Sequence, residues 1–551
     1  MFKKKLSTIA LFGAIALSAA SCGGGNGGGG GGGGNDRPKP GDMLFWHNFG
    51  GEYTNTMEKT ILSPLYANDG YNLEGDAKGG YDGLVKEINM TLADRTFPNI
   101  ATGYPDHFAG YAHTGFPLSR TGVLANMNTF LNDPELNAAH QAKYGTSIRD
   151  DYYPEYMVEN DSISYDESGN AITVGLPFNK STEVLGYNYI FVEYAKTVDP
   201  SLKVPTTWDE MKLMGPKFRE IQMSLNGKWL TYNQVDRETY NNFAVVASNP
   251  GDSVKYLDFH ENTDAATALM CWDSLENMFI TLVRQFGSTY TSYLPTDRTG
   301  KADEHGYMEF YSGDENKAKT VQAMQLVRDL YGTSDASRLF APASFFGAGS
   351  TYGSDAFKKN KVMFNICSTG GLTHNMDPDV RFESAPIPYQ DASKKFVISQ
   401  GANLTIFDRN SVSHPEKYAS IDEFEKECFK AVVKMTTGDY QAEWAVQSGY
   451  YPASKSATNS QIYQNFINGD GSQDTDLQYA IRKSCKLNQD EYMNASKNWQ
   501  KFVDPGFNGS NVIRSKVGLI ISDLTNKPSL SIDQILTGYY TDNDLKMYVR
   551  S

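Results

Sequence analysis

The chain has 551 residues, a formal net charge of −15 at pH 7, and 13% aromatic residues. A surface this acidic repels phosphate backbones and anionic lipid head groups, so we do not expect nucleic acid as a partner. Because single hydrophobic cores stop growing near about 250–300 residues, the chain is long enough for two domains or two large lobes.

The N-terminal segment is basic at residues 3–5 and apolar from 6 to 17, and it reaches Cys22 through small residues. The apolar run of twelve residues is short for a membrane-spanning helix, which needs about 20. This order of parts is typical of a bacterial lipoprotein export signal, with an ordinary cleaved secretion signal as the alternative. We predict a signal peptide over 1–21 and a lipidated Cys22 at the start of a glycine-rich tether over 22–41.

Such a start places the mature protein outside the cytoplasmic membrane, lipid-anchored in the periplasm or at the cell surface. Residues 23–36 are almost all glycine, so we expect a random coil with a mean reach of roughly 20 Å. That reach lets a globular body move over the membrane surface.

Strand and helix patterns alternate through the rest of the chain, which predicts an α/β fold with mainly parallel sheets. No internal repeat is visible and no Pro/Ser-rich linker divides the chain, so we expect interleaved lobes that meet at a cleft. In chain order, the predicted elements are strands at 43–49 and 172–176, a helix after the capping box Thr207–Glu210, a helix over 269–282, strands at 362–366 and 404–407, and a helix after the capping box Ser420–Glu423.

Motifs for catalysis and metal binding are missing from the sequence. There is no G-x-S-x-G, H-E-x-x-H or P-loop motif, and the eight histidines lack metal-ligand spacing. The turn at 504–508 and the acidic stretch near Asp542 do not match a calcium loop. We therefore predict no enzyme, no metal and no cofactor. Four widely spaced cysteines without a CxxC pair are predicted to be buried free thiols: Cys271, Cys367, Cys428 and Cys485.

Several ordered blocks of sequence share a pattern with one family. GLPFNKSTEVLGYNY begins at Gly175 and leads to VPTTWDEM, and FWHNFGG lies near the start of the mature chain. Three further blocks follow: VMFNICSTGGL, ISQGANLTIF and QAEWAVQSGYYPASKSA. The chain resembles the extracellular solute-binding proteins of ATP-driven carbohydrate uptake (ABC) systems, the family of maltose-binding and glycerol-3-phosphate-binding proteins.

The resemblance implies a two-lobed periplasmic-binding-protein type II fold, with interleaved lobes and a ligand-binding cleft at a hinge. It implies capture of a carbohydrate, either an oligosaccharide or a sugar or glycerol phosphate, and its delivery to ABC permease subunits by hinge closure. The chain is expected to act as a monomer. From family topology, the first lobe comprises 42–180 and 386–440, and the second lobe comprises 181–385 and 441–551.

The resemblance also implies ligand contacts. For Tyr81 and Tyr450, core packing is the alternative, and for Ser181 it is a capped turn at the lobe crossover. Asp106 is a shifted candidate, because Pro105 stands where the glycerol-phosphate branch has its binding glutamate. The implied ligand-binding residues are Trp46, Tyr81, Asp106, Ser181, Ser368, Thr369, Gly401, Tyr450 and Arg514.

Two departures from the glycerol-phosphate branch concern the ligand. Arg514 aligns with an arginine that grips the phosphate there, and a guanidinium suits phosphate oxygens. The two tryptophans of that branch fall near Gln234 and Arg237, however, which favours a larger or more polar ligand such as an oligosaccharide. Two other functions remain as alternatives: a surface lipoprotein that only retains glycans, and a lipoprotein glycoside hydrolase.

Overall fold

Two β-sheets with separate hydrophobic cores organise the chain in the computed structural model, which describes residues 41–549 except 115–120, 167, 264–265, 294–305, 348–349, 378–379 and 409–416. The predicted signal peptide and Cys22 lie outside the described residues. The strands are β1 (Met43–His47), β2 (Leu73–Ala77), β3 (Ile100–Gly103), β4 (Ser164–Tyr165), β5 (Ala171–Ile172), β6 (Leu176–Pro177), β7 (Ser181–Asn188), β8 (Trp229–Gln234), β9 (Tyr240–Val246), β10 (Tyr256–Asp258), β11 (Met270–Trp272), β12 (Thr291–Ser292), β13 (Tyr307–Met308), β14 (Phe364–Ser368), β15 (Phe382–Ala385), β16 (Lys395–Gln400), β17 (Asn403–Ile406) and β18 (Trp499–Phe502).

Helices cover the faces of both sheets. None of them, within the described ranges, is long and apolar enough to cross a membrane. They are α1 (Glu52–Met57), α2 (Ser63–Asp69), α3 (Gly80–Thr91), α4 (Pro105–His113), α5 (Asn128–Leu131), α6 (Pro134–Tyr144), α7 (Ile148–Asp151), α8 (Pro154–Asp161), α9 (Tyr189–Val198), α10 (Trp208–Leu225), α11 (Leu275–Gln285), α12 (Gly313–Tyr331), α13 (Gly353–Lys358), α14 (Ile421–Thr436), α15 (Gly438–Ser448), α16 (Lys455–Thr458), α17 (Gln461–Asn468), α18 (Asp476–Leu487), α19 (Ser510–Asn526) and α20 (Ile532–Tyr540).

The first lobe is built on the sheet with strand order β2-β1-β3-β17-β6. β1 runs parallel to β2 and β3, whereas β17 is antiparallel to β3 and β6. Two apolar clusters pack in this lobe, one with Leu404 and Trp444 and the other with Phe108 and Phe407. The β3–α4 junction carries Tyr104 and Pro105 to one end of the sheet.

The second lobe is built on the sheet β11-β14-β7-β16-β18, with β15 also paired to β7. β7 is antiparallel to β14, β15 and β16, so this sheet is mixed and the prediction of mainly parallel sheets is wrong for it. One large apolar cluster fills this lobe. The physical reason is connectivity: β7 enters from the first lobe instead of following a crossover helix.

The chain passes between the sheets at three segments of the described part. The first lies between β6 and β7, and the second lies at Gly401 between β16 and β17. The third follows α15, where the Tyr451 amide donates to the Lys180 carbonyl at 2.6 Å. The second crossing therefore falls at Gly401 and not at 386, because β16 pairs with β7 and β18 in the second sheet.

Most predicted elements are present with shifted ends. Thr207 and Ser420 accept hydrogen bonds from the amides of Glu210 and Glu423, as the capping boxes predict. The helix predicted over 269–282 is wrong in its first part, since this part forms β11 beside β14 and the helix begins after its cap at Ser274. The four cysteines in the described part are buried and free, as predicted.

Candidate functional site

A cavity of about 70 Å³ lies where the two lobes face each other. We call it the cleft cavity. Residues of the β3–α4 junction and of α8 line it from the first lobe, and the β16–β17 crossing lines its base. The second lobe contributes two loops and α19. The lining residues are Tyr104, Pro105, Asp106, Glu159, Tyr290, Thr291, Ile398, Ser399, Gln400, Gly401, Val503, Asp504, Pro505, Ser510 and Arg514.

The lobes touch each other at the cleft. A Cβ atom on Gly506 would lie 2.7 Å from the carbonyl carbon and oxygen of Pro105. Such a separation is shorter than any real Cβ contact, so only glycine fits between the lobes at this position in this arrangement. The structure therefore has the lobes closed on the cleft cavity.

Buried polar atoms around the cleft cavity have no hydrogen-bond partner among the described residues. They are Glu159 Oε1, Tyr290 Oη, Thr291 Oγ1, Ser399 Oγ and Asp504 Oδ2. A buried polar group without a partner costs about 1–3 kcal/mol. Five lining residues with such atoms give the cavity walls spare hydrogen-bonding capacity, which suits a polar ligand.

Arg514 in α19 is held by polar groups of the second lobe. One terminal nitrogen donates to Asn277 Oδ1, and the other lies 3.7 Å from the Asp504 carboxylate. Burial lowers the pKa of Arg514, but Asp504 and Asp106 more than offset this, so its pKa lies above the ordinary value. Arg284 adds a second contact to Asp504, at 3.4 Å. The guanidinium is therefore charged and already paired.

A buried ion pair lies at the base of the cleft. Lys180 Nζ is 2.7 Å from Glu159 Oε2 and 2.9 Å from Asn403 Oδ1. The two charged side chains are 0% and 2% exposed. Burial raises the pKa of Glu159 and lowers that of Lys180. Glu159 lies in α8, Lys180 in the first crossing and Asn403 in β17. Their contacts therefore join one wall of the cleft to segments that connect the lobes.

Tyrosines stack beside the cavity on the first lobe. Tyr81 lies with its ring centroid 4.2 Å from that of Tyr104, which lines the cavity. Tyr450 stacks on Trp444, with ring planes only 11° apart, and packs on Gly370, where a Cβ would lie 2.5 Å from its ring. We call these four rings the aromatic wall of the first lobe, and Tyr104 is the one that lines the cavity.

The predicted site residues divide into two groups. Asp106, Gly401 and Arg514 line the cleft cavity, and Tyr81 stacks on a lining residue. Gly401 has φ +112°, and a Cβ there would lie 1.5 Å from the Asn179 carbonyl oxygen. The crossing itself therefore requires glycine at this position.

The remaining predicted residues do not line the cavity. Trp46 is buried in the first-lobe core, with the Lys78 ammonium 4.1 Å from its ring. Ser368 Oγ accepts from the Gly370 amide at 3.2 Å and caps a short helical turn. Thr369 is completely buried, Ser181 is 4% exposed in β7, and Tyr450 belongs to the aromatic wall.

The two positions aligned with the tryptophans of the glycerol-phosphate branch do not line the cleft cavity. Gln234 is exposed at the end of β8. Arg237 donates to Asp476 Oδ1 at 2.8 Å and to the Asp474 carbonyl at 2.9 Å. The expectation that polar side chains at these two positions favour a larger ligand therefore finds no support in the lining of the cleft cavity.

Several lining residues gave no sequence signal. Tyr290 precedes the short strand β12, Thr291 begins it, and Glu159 comes from a short helix in the first lobe. Tyr104 lies one residue before the Pro105–Asp106 pair. Asp504 belongs to the turn at 504–508, which sequence reasoning considered only for calcium.

The comparisons with known proteins agree with this geometry. The two-lobed fold with a cleft between the lobes defines the class of solute-binding proteins. The sequence model of the bacterial extracellular solute-binding protein family matches residues 66–468, so the chain belongs to this family. No curated protein sequence matches the chain.

Solved structures with the same fold cover nearly the whole chain. Mycobacterium tuberculosis UgpB in complex with glycerophosphocholine matches with TM-score 0.60 and 14% identity, over 91% of this chain and 96% of that one. The acarbose-binding GacH receptor of Streptomyces glaucescens matches with TM-score 0.58 and 13% identity, over 92% and 98%. A Listeria monocytogenes substrate-binding protein in complex with cycloalternan matches with TM-score 0.59 and 11% identity, over 92% and 99%.

Proposed function

We propose that this protein captures a carbohydrate in the cleft cavity and delivers it to an ABC permease. The observation that carries the proposal is that five lining residues of the cleft cavity in a solute-binding fold have buried polar atoms without a hydrogen-bond partner in the described part of the chain. Sugar hydroxyls both donate and accept hydrogen bonds, so one ligand of this class satisfies carboxylate and hydroxyl groups together.

The aromatic wall supports the same ligand class. A sugar ring has an apolar CH face, which binds well to a flat aromatic side chain, and a polar rim. Tyr104, backed by Tyr81, offers such a face beside the polar atoms of the cavity. Acarbose and cycloalternan, the ligands of two of the structural neighbours, are of this kind.

Ligand entry requires the lobes to part. Pro105 and Gly506 meet backbone to backbone over the cleft, so a molecule as large as a sugar enters only when the lobes separate. The three crossing segments offer a hinge, and a ligand that binds both lobes stabilises the closed form by its differential affinity. A protein that only retains glycans at the surface does not need this motion.

We propose that the protein acts as a monomer without a catalytic step and is anchored outside the cytoplasmic membrane through Cys22. The tether of roughly 20 Å keeps the closed, loaded receptor near a permease in the same membrane. Metabolic labelling with a palmitate analogue, compared between the natural chain and Cys22→Ser, tests the anchor. Label on the Cys22→Ser variant contradicts it.

A thermal-shift panel tests the proposed ligand class. Ligands that bind only the folded protein stabilise it by RT ln(1 + [L]/Kd), which is about 2.7 kcal/mol at a hundredfold excess over Kd. Maltodextrins, cyclic glucans, other oligosaccharides, amino acids and short peptides form the panel. Stabilisation by a carbohydrate supports the proposal, and stabilisation by amino acids or peptides alone contradicts it.

A further inference from the structure

The charged groups that line the cleft cavity are mostly acidic, while two cations paired with them, Lys180 and Arg284, lie outside the lining. Asp106, Glu159 and Asp504 are carboxylates, whereas Arg514 is the basic residue among the described residues of the lining. The first lobe contributes Asp106 and Glu159, and the second contributes Asp504 and Arg514. A ligand between the lobes therefore meets carboxylates on both sides.

The guanidinium of Arg514 already has polar partners and is not free to bind an anion. Its Nη2 donates to Asn277, and its Nη1 faces the Asp504 carboxylate at 3.7 Å. A phosphate placed on Arg514 would lie beside Asp504 and compete with it. Since like charges at such separations repel, the approach of a phosphate is opposed.

Hydrogen-bonding capacity points in the same direction. Glu159 Oε1 and Asp504 Oδ2 are buried and lack a hydrogen-bond partner among the described residues. Burial raises the pKa of both carboxyl groups, while Lys180 at 2.7 Å from Glu159 and Arg284 at 3.4 Å from Asp504 act against this and favour the ionised forms. An ionised carboxylate only accepts hydrogen bonds. A phosphate dianion is also acceptor-only. Hydroxyl and ammonium groups, in contrast, donate.

The acidic residues lie in a pocket whose other walls are also buried and polar. Glu159 is 2% exposed, Tyr290 is 2% exposed and Thr291 is 4% exposed, and each is a lining residue with a buried polar atom that has no hydrogen-bond partner among the described residues. The acidic residues are thus part of a pocket with unsatisfied polar atoms, and not an exposed cluster on the surface.

We infer that the cleft selects carbohydrates without negative charge, neutral or amino sugars, and that Asp106, Glu159 and Asp504 reject phosphorylated ones. In this reading Arg514 is the counter-ion of Asp504 and not a phosphate clamp. The inference rests on the proposed function and narrows its ligand class.

Matched ligand pairs test the inference by isothermal titration calorimetry on the full chain. The pairs are glucose with glucose 6-phosphate, maltose with maltose 6′-phosphate, and glycerol with glycerol 3-phosphate, with glucosamine as the cationic probe. We expect the neutral member of the best pair to bind at least tenfold more tightly than its phosphate ester. Equal or tighter binding of the ester overturns the inference and leaves the proposed function standing.

A single substitution should reduce the preference for the neutral sugar over its phosphate ester. Asp504→Asn leaves Arg514 and Arg284 without their shared carboxylate, so the phosphate ester should gain about tenfold in affinity while the neutral sugar loses affinity. Asp106→Asn is the second variant if Asp504→Asn unfolds, and Glu220→Gln, 69% exposed on α10, is the matched control. An unchanged preference in both cleft variants overturns the inference. If no carbohydrate binds at all, the proposed function fails and the inference fails with it.

Discussion

Pro105 of the first lobe and Gly506 of the second lobe meet backbone to backbone at the cleft. A Cβ atom at position 506 would lie 2.7 Å from the carbonyl carbon and oxygen of Pro105. The contact exists only when the lobes are together, so it separates the closed form from any open form of the same chain.

Gly506→Ala should therefore hinder closure without harming either lobe. We expect ligand affinity to fall about tenfold or more, because the closed form carries the steric cost, while the unfolding midpoint of the free protein changes little. Calorimetric titration with the best carbohydrate measures the effect. Gly110→Ala is the control, since a Cβ there meets nothing within 4 Å and the position is helical. Equal affinities of the two variants would contradict the closed-cleft account.

Tyr290→Phe should stabilise the free protein and weaken ligand binding. The change removes a buried hydroxyl that lacks a hydrogen-bond partner among the described residues, so we expect a gain of about 1 kcal/mol in unfolding free energy. Loss of one hydrogen bond to the ligand lowers affinity about fivefold. Chemical denaturation and calorimetry measure the two effects.

Tyr311→Phe is the matched control for that experiment. The Tyr311 hydroxyl is 2.8 Å from Asp533 Oδ1, so its removal should destabilise the protein by about 1 kcal/mol and leave affinity unchanged. If Tyr290→Phe and Tyr311→Phe change the unfolding free energy and the ligand affinity in the same way, Tyr290 does not belong to the ligand site.

Removing only one partner of the Glu159–Lys180 ion pair should lower the free energy of unfolding strongly. Lys180→Met leaves the Glu159 carboxylate buried without its cation, which typically costs about 3–5 kcal/mol. Adding Glu159→Gln removes that uncompensated charge and should restore part of the loss. Urea denaturation of both single variants and the double variant gives the coupling. Additive losses in the double variant would show that the two groups do not interact.

His47 should make folding sensitive to acid. Burial lowers its pKa from 6.5 to about 4, and the side chain is 1% exposed. The unfolded chain thus binds an extra proton between these values, so stability is present above pH 6.5 and is lost as the pH falls towards 4. Relative to His47→Gln, the natural protein should lose about 3 kcal/mol across that window. Parallel stability curves for the two proteins between pH 7 and 4 would contradict this.

The elements that sequence reasoning located correctly are those governed by local chemistry. β1 follows from its apolar run, and the caps at Thr207 and Ser420 follow from hydroxyl and carboxyl groups three residues apart. The family blocks also predicted the two-lobed fold. β11 was missed because Met270–Trp272 becomes a strand only through pairing with β14, a long-range contact.

The cavity was less predictable for the same reason. Asp106, Gly401 and Arg514 were found through the resemblance, whereas Glu159, Tyr290 and Asp504 were not. These three come from a short helix and two loops, and only the closed arrangement of the lobes brings them to one cavity. Ser181 and Thr369 were predicted as ligand contacts, but the structure uses them inside the second-lobe sheet and its adjoining turn.

The most direct test of the account is small-angle X-ray scattering of the full chain with and without a saturating carbohydrate from the thermal-shift panel. Closure around a ligand held by both lobes predicts a smaller radius of gyration in the presence of the sugar. An unchanged radius of gyration, at a sugar concentration where calorimetry shows full occupancy, would contradict the claim that this protein captures its ligand by closing the cleft.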